Sequence, residues 1–443
     1  MKAVILAAGQ GKRISSEFSL PKPLVSLFSL SLIERVILSA KKAGVKNFVV
    51  VLGWMAEKIK SKLGDGKKYG VKIEYVFNKE FKEKENGYSL FLAKDFFKKG
   101  EKFLVLMSDH IFDWRILKEL LEKKDSLKEN EAYLVVDFHP PEYIDKDDAT
   151  KIKLDKEGKI KKLSKKLEDY DGFDCGIFLF STFIFDCLKE AISQGKTSLS
   201  EAVSLFAKKG KLFPFSQKYF WQDVDTKKDL ELAKKILLKN AFERKEDGPI
   251  AKILNRKISS FLTPLLVRFS PNFISFLSFL LSVISGFFFV IGERIFNLFG
   301  GILVQLSSII DGCDGEVARL KFQESQIGAV FDSVLDRYGD AIIILGIGAQ
   351  LLKENFSWSV FFLIFLALLG SIMPAYLGGY SRYHLGIKKI PKSLPTERDV
   401  RLFLIFLGGI LNNFWWVLFL LSLFNLEVFR RLVISFKLYR FEK

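Results

Sequence analysis

The stretch DGCDGEVARLKFQESQIGAVFDSVLD, residues 311–336, decides how the C-terminal half of the chain is interpreted. It places carboxylates at the ends of hydrophobic helices, where ionisable groups are costly and usually mark function. Asp311 and Asp314 share one helical face, and Asp332 and Asp336 share another. If the two helices pack side by side, these carboxylates converge and repel one another unless cations separate them. Hard oxygen ligands of this kind suit Mg²⁺ or Mn²⁺.

Small residues and one arginine lie between these aspartates. Gly315, Ala318 and Gly328 allow a neighbouring helix or a nucleotide to approach closely. Arg319 supplies a fixed cation for a phosphate. Two metal ions at such a site stabilise both the attacking and the leaving oxygen of an in-line phosphoryl displacement. Asp336 is the predicted general base, which takes the proton of the acceptor hydroxyl.

The segment matches D-x2-D-G-x2-A-R-x8-G-x3-D-x3-D at every position and therefore resembles the CDP-alcohol phosphotransferases. The resemblance implies that CMP is released from a CDP-linked donor. It implies that the four aspartates hold two divalent metal ions and that Gly315, Ala318, Arg319 and Gly328 hold the nucleotide. Asp340 lies outside the motif, and we expect it to pair with Arg337.

Apolar runs on both sides of this motif are long enough to cross a bilayer, at about 1.5 Å of rise per residue. The predicted spans are residues 272–292, 296–318, 327–352, 356–380, 399–411 and 414–436. The fifth is short and could merge with the sixth. Residues 250–269 are amphipathic and predict a helix lying in the membrane interface, with an ordinary surface helix as the alternative. The predicted membrane domain is residues 256–443, after a linker of helix and break at residues 229–255.

The net charge of +17 is compatible with nucleic acid, anionic lipid or anionic substrates, and its location favours the last two. Basic residues are concentrated in alternate loops, which predicts that these loops and both chain ends lie on the cytoplasmic side. No nucleic-acid partner is predicted. The acceptor pocket is expected to draw on Arg382, Lys388, Lys389, Lys392 and Arg398.

Residues 1–228 alternate short apolar strands with helix-like stretches such as LIERVILSAKKAG, which indicates a mostly parallel, Rossmann-like α/β head. The opening MKAVILAAGQGKR lacks the features of a secretory signal, so we expect the head to stay in the cytoplasm. The scattered cysteines indicate neither a disulfide framework nor a metal site. The histidines have no ligand spacing and are interpreted as ordinary polar residues.

A glycine loop, AGQGKR at residues 8–13, follows the first predicted strand and lets backbone N–H groups face a phosphate chain. Its spacing excludes a Walker loop, and a tight turn remains the alternative. Lys22 lies between two prolines at the mouth of this loop. Asp109 ends an apolar strand, where a carboxylate can hold a metal ion. Asp223 and Asp225 alternate along WQDVDT, which would put both on one face of a strand.

LAAGxGxR followed by PKP resembles the nucleotidyltransferases that join a nucleoside triphosphate to a sugar or alcohol phosphate, over roughly residues 1–228. The resemblance implies one Mg²⁺ held by Asp109 and Asp225, with Asp223 as the second choice for the latter. Lys22 and Arg13 would offset charge as pyrophosphate leaves. The implied nucleotide contacts are Leu6, Ala8, Gly9, Gly11 and Gly87.

Two further residues of the head, Lys165 and Asp174, are candidates for binding the acceptor phosphate. A solvated lysine stays open as the alternative for Lys165, because residues 161–166 are a run rich in lysine.

A head that makes a nucleotide-linked alcohol is economical only if the membrane domain consumes it, which makes CTP the nucleotide. The whole arrangement resembles the family that joins an inositol-1-phosphate cytidylyltransferase to a di-inositol-phosphate-phosphate synthase. The resemblance implies that CTP and inositol-1-phosphate give CDP-inositol and pyrophosphate. CDP-inositol and a second inositol-1-phosphate then give a phosphorylated di-inositol phosphodiester and CMP. We also expect contact with a lipid bilayer and a homodimer formed through the membrane domain.

Two alternatives remain open. A phospholipid synthase with a fused cytidylyltransferase for another alcohol phosphate would use a lipid hydroxyl as acceptor, and a long apolar groove open to the bilayer would favour it. A non-catalytic, membrane-tethered nucleotide sensor is opposed by the intact chemical groups of the head.

Overall fold

The computed structural model describes residues 1–11, 13–14, 18–242, 248–386 and 390–441. The chain divides into two compact units, Met1–Ile236 and Leu237–Lys443. The predicted break after the linker helix lies partly outside the described residues, as do Lys388 and Lys389 of the predicted acceptor pocket.

The first unit is built on a nine-stranded sheet with two small two-stranded sheets beside it. The strands are β1 (Lys2–Ala7), β2 (Ser26–Leu27), β3 (Leu30–Ser31), β4 (Asn47–Leu52), β5 (Lys72–Phe77), β6 (Lys102–Met107), β7 (His110–Phe112), β8 (Glu131–Asp137), β9 (Lys151–Leu154), β10 (Ile160–Ser164), β11 (Gly172–Ser181), β12 (Lys211–Ser216) and β13 (Trp221–Asp223). The helices are α1 (Leu32–Lys42), α2 (Ala56–Leu63), α3 (Asn86–Phe91), α4 (Trp114–Leu121), α5 (Phe183–Ser193) and α6 (Leu199–Lys209). Helix α7 (Lys227–Phe242) begins in the first unit, and its residues after Ile236 belong to the second.

The large sheet is mixed rather than mostly parallel, which corrects the expectation from sequence. Its main path runs β10-β9-β11-β6-β1-β4-β5, and β1 pairs in parallel with both β4 and β6. Strand β11 is antiparallel to β6, β8 and β9. Residues 131–181 contain no helix, and a parallel connection needs a long crossover that is usually helical. The strands of this segment therefore return antiparallel.

Burial explains why the central strands form. Successive residues of β1 face opposite sides of the sheet, so that Val4 belongs to one hydrophobic cluster and Ile5 to another. Strands β1, β4 and β6 read as continuous apolar runs because helices cover both faces. The carboxyl ends of β1 and β6 lie side by side, which brings the glycine loop next to Asp109.

The second unit is helical, in agreement with the predicted fold class. A π-helical turn, Ala251–Asn255, precedes α8 (Arg256–Leu266), α9 (Pro271–Ile291), α10 (Arg294–Leu320), α11 (Gln326–Glu354), α12 (Trp358–Leu385), α13 (Arg398–Leu411) and α14 (Trp415–Phe441). Three of these, α9, α10 and α12, are long and apolar enough to cross a membrane. The other three predicted spans coincide with α11, α13 and α14, so a count of six spans stays a prediction.

Helix α9 packs against both α10 and α11 along a face of small residues. Its buried side includes Ser275, Ser278, Ser282 and Ser285. Gly286 lies so close to the backbone of α11 that an added Cβ would stand 2.8 Å from the carbonyl oxygen of Ile342. Helices α10 and α11 therefore share α9 as a common neighbour.

Candidate active sites

The site of the head forms where three strands end. Asp109 follows β6 by two residues, and the glycine loop follows β1. Strand β13 pairs with β7 in the register Asp223 to His110, and the backbone N–H of Val224 donates to the carbonyl of Asp109 at 3.1 Å. This pairing carries Asp225 to the same edge of the sheet as Asp109.

Lys22 connects the two predicted metal ligands of the head. Its ammonium donates to Asp109 Oδ2 at 2.6 Å and also contacts Asp225 Oδ1, and only 6% of the residue is exposed. Burial alone would lower the pKa of Lys22, but the charges of Asp109 and Asp225 outweigh it and raise the pKa. For Asp109 burial alone would raise the pKa, but Lys22 and His110 outweigh burial and hold the pKa well below its ordinary value. Lys22 and Asp109 are therefore both charged at neutral pH.

A second set of ion pairs continues from Asp225. Arg13 contacts Asp225 Oδ2 and Asp148 Oδ2, each at 2.7 Å. The other oxygen of Asp148 accepts a hydrogen bond from Lys165 at 2.6 Å. Lys22 and Arg13 therefore meet at Asp225, and Arg13 and Lys165 meet at Asp148.

A cavity of about 250 Å³ adjoins these residues. Among the predicted site residues, its lining includes Asp109, Lys165, Asp174, Asp223 and Asp225. Burial raises the pKa of Asp223 and raises that of Asp174 to about 6. Of Asp223 and Asp225, it is Asp225 that contacts Lys22 and Arg13.

The predicted glycines of the head have different surroundings. Gly11 has φ of +56°, a left-handed conformation that favours glycine, and Gly9 has no described atom within 4 Å of an added Cβ. Leu6 and Ala8 are buried at the end of β1. Gly87 is buried against the backbone of residues 197–198, where an added Cβ would come within 2.7 Å of the Ser198 carbonyl oxygen. This close packing accounts for the glycine at position 87 without any ligand.

His110 and Asp148 were not singled out by sequence reasoning. The Nδ1 of His110 lies 2.8 Å from Asp109 Oδ1, and the ring stacks on Trp221. An added Cβ at Gly176 would lie 2.7 Å from His110 Nε2, and a register shift in β11 falls between Asp174 and Phe178. Adjacency to Asp109 was the available signal for His110. Asp148 belongs to no sequence motif that would have pointed to it.

Three aspartates of the second unit converge, contributed by α10 and α11. Asp311, Asp332 and Asp336 each offer a carboxylate oxygen, and these oxygens all lie within 4.8 Å of one another. The side chains of Asp314 and Asp332 are within hydrogen-bonding distance. Ser275 of α9 donates to Asp314. The structure therefore brings all four motif aspartates together.

Each side of this cluster opens into a cavity. One, of about 220 Å³, is lined by Asp314 and Asp332 together with the remaining motif residues, Gly315, Ala318, Arg319 and Gly328. Arg319 Nε donates to the carbonyl of Ala241 at 2.7 Å. Gly328 is the third residue of α11, and its N–H donates to Ser325 Oγ at 3.0 Å. The residues that the motif predicts to hold a nucleotide thus share one cavity.

The other cavity, of about 470 Å³, reaches Asp311 and Asp336 and is basic. Seven basic side chains of the described residues line it: Arg256, Arg337, Arg382, Lys392, Arg398, Arg401 and Arg431. Three of the five predicted acceptor residues are among them, namely Arg382, Lys392 and Arg398. The other four lie in separate parts of the chain, and no sequence pattern near them predicted that they would line this cavity.

Arg398 reaches from this basic cavity into the aspartate cluster. Its Nη1 lies 3.0 Å from Asp311 Oδ2 and 2.7 Å from Asp336 Oδ1. Its Nε lies 3.0 Å from Asp340 Oδ1, and Arg401 contacts the other oxygen of Asp340 at 2.9 Å. The expected pair between Asp340 and Arg337 is therefore wrong. Helix α13 supplies the partners of Asp340, and the sequence motif gave no sign that this helix packs there.

A buried carboxylate inside the motif fastens α8 to α10. Glu316 is fully buried and accepts hydrogen bonds from Ser259 at 2.9 Å, from Thr263, and from the guanidinium of Arg256. Asn255 adds a hydrogen bond to Ser308 at 3.1 Å. The outer face of α8 leaves Phe261 78% exposed. The helix predicted to lie in the interface is thus tied to the helix that carries the first two motif aspartates.

Both sites fit a divalent cation by their donor chemistry. The second unit offers an acidic cluster whose carboxylate oxygens one cation can contact together. In the head, Asp109 and Asp225 already contact one cationic group, the ammonium of Lys22. Carboxylate oxygens are the ligands that Mg²⁺ and Mn²⁺ prefer.

Comparison with known proteins matches both units. The nucleotidyl transferase family model matches residues 2–240, and the CDP-alcohol phosphatidyltransferase family model matches residues 268–426. The chain is similar to the bifunctional IPC transferase and DIPP synthase of Aquifex aeolicus, at 40% identity over 93% of this chain and 92% of that protein. It is similar to the protein of the same description from Thermococcus kodakarensis, at 33% identity over 92% of this chain and 89% of that protein.

The chain is also similar in sequence to a protein of known structure. The inositol-1-phosphate CTP transferase from T. maritima matches 53% of this chain and 95% of its own, at 28% identity and a TM-score of 0.45.

Proposed function

Because this chain belongs to the bifunctional IPC transferase and DIPP synthase family, we propose that it carries out two successive transfers that use inositol-1-phosphate. The head transfers CMP from CTP to inositol-1-phosphate and releases pyrophosphate. The membrane domain transfers phospho-inositol from CDP-inositol to a second inositol-1-phosphate and releases CMP. The observation that carries this proposal is the aspartate cluster placed between a cavity of motif residues and a basic cavity.

In the head, a phosphate oxygen of inositol-1-phosphate attacks the α-phosphorus of CTP, and the bond to the β-phosphate oxygen breaks. Lys22 and Arg13 offset the charge that develops as pyrophosphate leaves. Asp109 and Asp225 would hold one Mg²⁺ or Mn²⁺, which supplies further charge neutralisation when bound. The contacts of Lys22 with Asp109 and Asp225 support this proposal, because they show that the two carboxylates can bind one cationic group together.

In the membrane domain, a hydroxyl of the acceptor attacks the phosphorus that carries the inositol of CDP-inositol, and the bond to the CMP oxygen breaks. Asp336 takes the hydroxyl proton, since it faces the basic cavity in which the acceptor would lie. Asp311, Asp314, Asp332 and Asp336 would hold two divalent ions, which stabilise the attacking and leaving oxygens when bound. Gly315, Ala318, Arg319 and Gly328 hold the cytidine nucleotide on the opposite side.

The acceptor is a phosphorylated alcohol rather than a lipid. The cavity that reaches Asp336 is lined by seven basic side chains of the described residues, which suits a phosphate group. A lipid acceptor would need a long apolar groove at the same place. Arg398 extends from this cavity to Asp336, so it would contact both the acceptor and the transferred phosphoryl group.

We further propose a multi-pass membrane protein whose head and membrane active site face the cytoplasm, with a homodimer formed through the membrane domain. Alternating basic loops support the orientation. The exposed apolar side chains of α9 and α12, such as Phe287 at 64% and Trp358 at 81%, would contact lipid or a second copy.

In the experiment, purified protein is incubated with CTP and each of a panel of alcohol phosphates. The release of pyrophosphate and the release of CMP are measured separately. Inositol-1-phosphate should give both, and glycerol, choline or ethanolamine phosphates should give neither. A second arm supplies CDP-inositol with either inositol-1-phosphate or a lipid hydroxyl acceptor. CMP release with the lipid acceptor alone would contradict the proposal and favour a phospholipid synthase.

A further inference from the structure

Asp148 occupies an unexpected position in the head. It lies in the irregular connection between β8 and β9, and its two carboxylate oxygens take different cations. Arg13 Nη1 contacts one oxygen at 2.7 Å and Lys165 Nζ contacts the other at 2.6 Å. These cations come from chain segments separated by about 150 residues. One carboxylate therefore contacts both Arg13, which is predicted to offset charge as pyrophosphate leaves, and Lys165, which is a candidate for binding the acceptor phosphate.

Arg13 and Lys165 are arranged as they would be around a bound anion, and the carboxylate of Asp148 occupies the position of that anion. Arginine and lysine donate to carboxylates and to phosphates through the same charge-assisted hydrogen bonds. Asp148 lines the same cavity as Asp109, Asp174 and Asp225, so its carboxylate lies within the site and not on a remote surface. A phosphate of the substrate placed between Arg13 and Lys165 would meet the same donors.

We propose that Asp148 occupies the position of a substrate phosphate before the substrate binds, and that the substrate must displace it to reach Arg13 and Lys165. The inference rests on the proposed function of the head, since it assumes a phosphorylated substrate there. Arg13 and Lys165 then bind one and the same phosphate group. That group belongs either to inositol-1-phosphate or to the triphosphate of CTP, and separate measurements distinguish the two.

The local structure permits this exchange. The side chain of Asp148 is 31% exposed, and those of Arg13 and Lys165 are 57% and 56% exposed, so their ion pairs are weak and screened by water. The hydrogen bonds from Lys165 and Arg13 lower the pKa of Asp148 to about 2, so the carboxylate stays charged at any working pH. The preceding turn is held by Asp145, which accepts from the N–H of Asp147 at 3.0 Å. Asp148 itself belongs to neither of the flanking strands, β8 and β9.

The test compares Asp148→Asn with the wild-type full chain in detergent, with pyrophosphate release as the readout because only the head produces it. Michaelis constants are measured separately for inositol-1-phosphate and for CTP, each with the other substrate saturating. The matched control is Asp147→Asn, which removes the same charge from the neighbouring exposed residue. Asp148→Ser repeats the measurement with a smaller side chain, in case the amide folds poorly.

We expect Asp148→Asn and Asp148→Ser to lower the KM of one substrate by about two- to fivefold with kcat unchanged, because a competing anion is gone. Asp147→Asn should leave both constants as in the wild type. The substrate whose KM falls is the one whose phosphate binds between Arg13 and Lys165. An unchanged or raised KM for both substrates would overturn the proposal. Absence of pyrophosphate release by the wild-type chain would instead overturn the function proposed for the head.

Discussion

Lys22 and Arg398 have related positions in the two units. Each is a cation set between carboxylates that are predicted to hold divalent ions: Lys22 contacts Asp109 and Asp225, and Arg398 contacts Asp311 and Asp336. A carboxylate cluster without any cation would be strongly repulsive. These two side chains supply the compensating charge from within the chain.

The role of Asp336 is tested by Asp336→Asn. CMP release should fall at least about a hundredfold, because the amide cannot take the acceptor proton. Pyrophosphate release should be unaffected, because it depends on the head. The matched control is Glu354→Gln, which removes an exposed carboxylate from the far end of the same helix. Retained CMP release in Asp336→Asn would remove this residue from the base role.

A pair of substitutions distinguishes the roles of Asp223, the last residue of β13, and Asp225, which lies two residues further along the chain. Asp225→Asn should reduce pyrophosphate release by about a hundredfold, because Asp225 contacts both Lys22 and Arg13. Asp223→Asn should have a much smaller effect, since burial raises the pKa of Asp223 and no cation contact to it is described. The initial rate of pyrophosphate release is the measurement. A larger loss in Asp223→Asn would exchange the two assignments.

Asp174 gives a prediction on pH. Burial raises its pKa from the ordinary 3.8 to about 6, so the folded head binds this proton more tightly than the unfolded chain. Stability is therefore lost as pH rises from about 4 through 6, by at most ~3 kcal/mol, since each pKa unit is worth about 1.4 kcal/mol. Asp174→Asn should survive heating better than the wild type at pH 8 and equally well at pH 4.

The measurement for Asp174→Asn is the pyrophosphate-releasing activity that remains after heating at each pH, assayed afterwards at one common pH. The wild-type chain heated in parallel is the control. A gain of equal size at both pH values would show that the carboxylate charge is not responsible.

At the scale of single residues, the site residues that could be predicted from the sequence are those that belong to short motifs. The four aspartates, Lys22 and Asp225 could be named because fixed spacing carries them. Asp148, the partners of Asp340, and the Arg256 and Glu316 pair could not, because tertiary contacts bring them together from distant segments.

At the scale of elements, helix α9 is the support on which the aspartate cluster is assembled. It contacts α10 and α11, and Ser275 reaches Asp314 directly. Gly286 and Gly346 let the backbones of α9 and α11 touch: a Cβ added at Gly346 would overlap the carbonyl oxygen of Gly286. Small residues at such contacts set the distance between membrane helices.

Gly346→Ala tests this support. The added methyl should push α11 away from α9 and destabilise the membrane unit by about 1–3 kcal/mol. The rate of CMP release should fall, and the CMP-releasing activity should survive heating less well than in the wild type. The rate of pyrophosphate release should not change. The matched control is Gly379→Ala on α12, where no described atom lies within 4 Å of the added Cβ. Equal effects of the two substitutions would show that helix propensity, and not the contact with Gly286, is responsible.

The elements were predicted unevenly. Five strands of the head and the helix at α1 follow from alternating apolar runs, and the six helices after residue 270 follow from hydropathy. Strands β9, β10 and β11 were missed because two of them are short and polar on one side, and β11 contains an irregularity at Gly176. Their antiparallel pairing is what makes the sheet mixed.

At the scale of the whole molecule, the two units have complementary chemistry. The first carries cations and carboxylates suited to attaching a cytidine nucleotide to a phosphate. The second carries a carboxylate cluster between a cavity of motif residues and a basic cavity. Relatives matching more than nine-tenths of the chain carry both units together. We therefore infer that the product of the first unit is the substrate of the second.

The most direct measurement follows pyrophosphate and CMP over time in one reaction of the full chain with CTP and excess inositol-1-phosphate. We predict that pyrophosphate appears first, that CMP follows after a lag, and that the two reach equal amounts as CDP-inositol is consumed. Pyrophosphate that accumulates with CDP-inositol while no CMP is released would contradict the central claim that the membrane unit uses the product of the head.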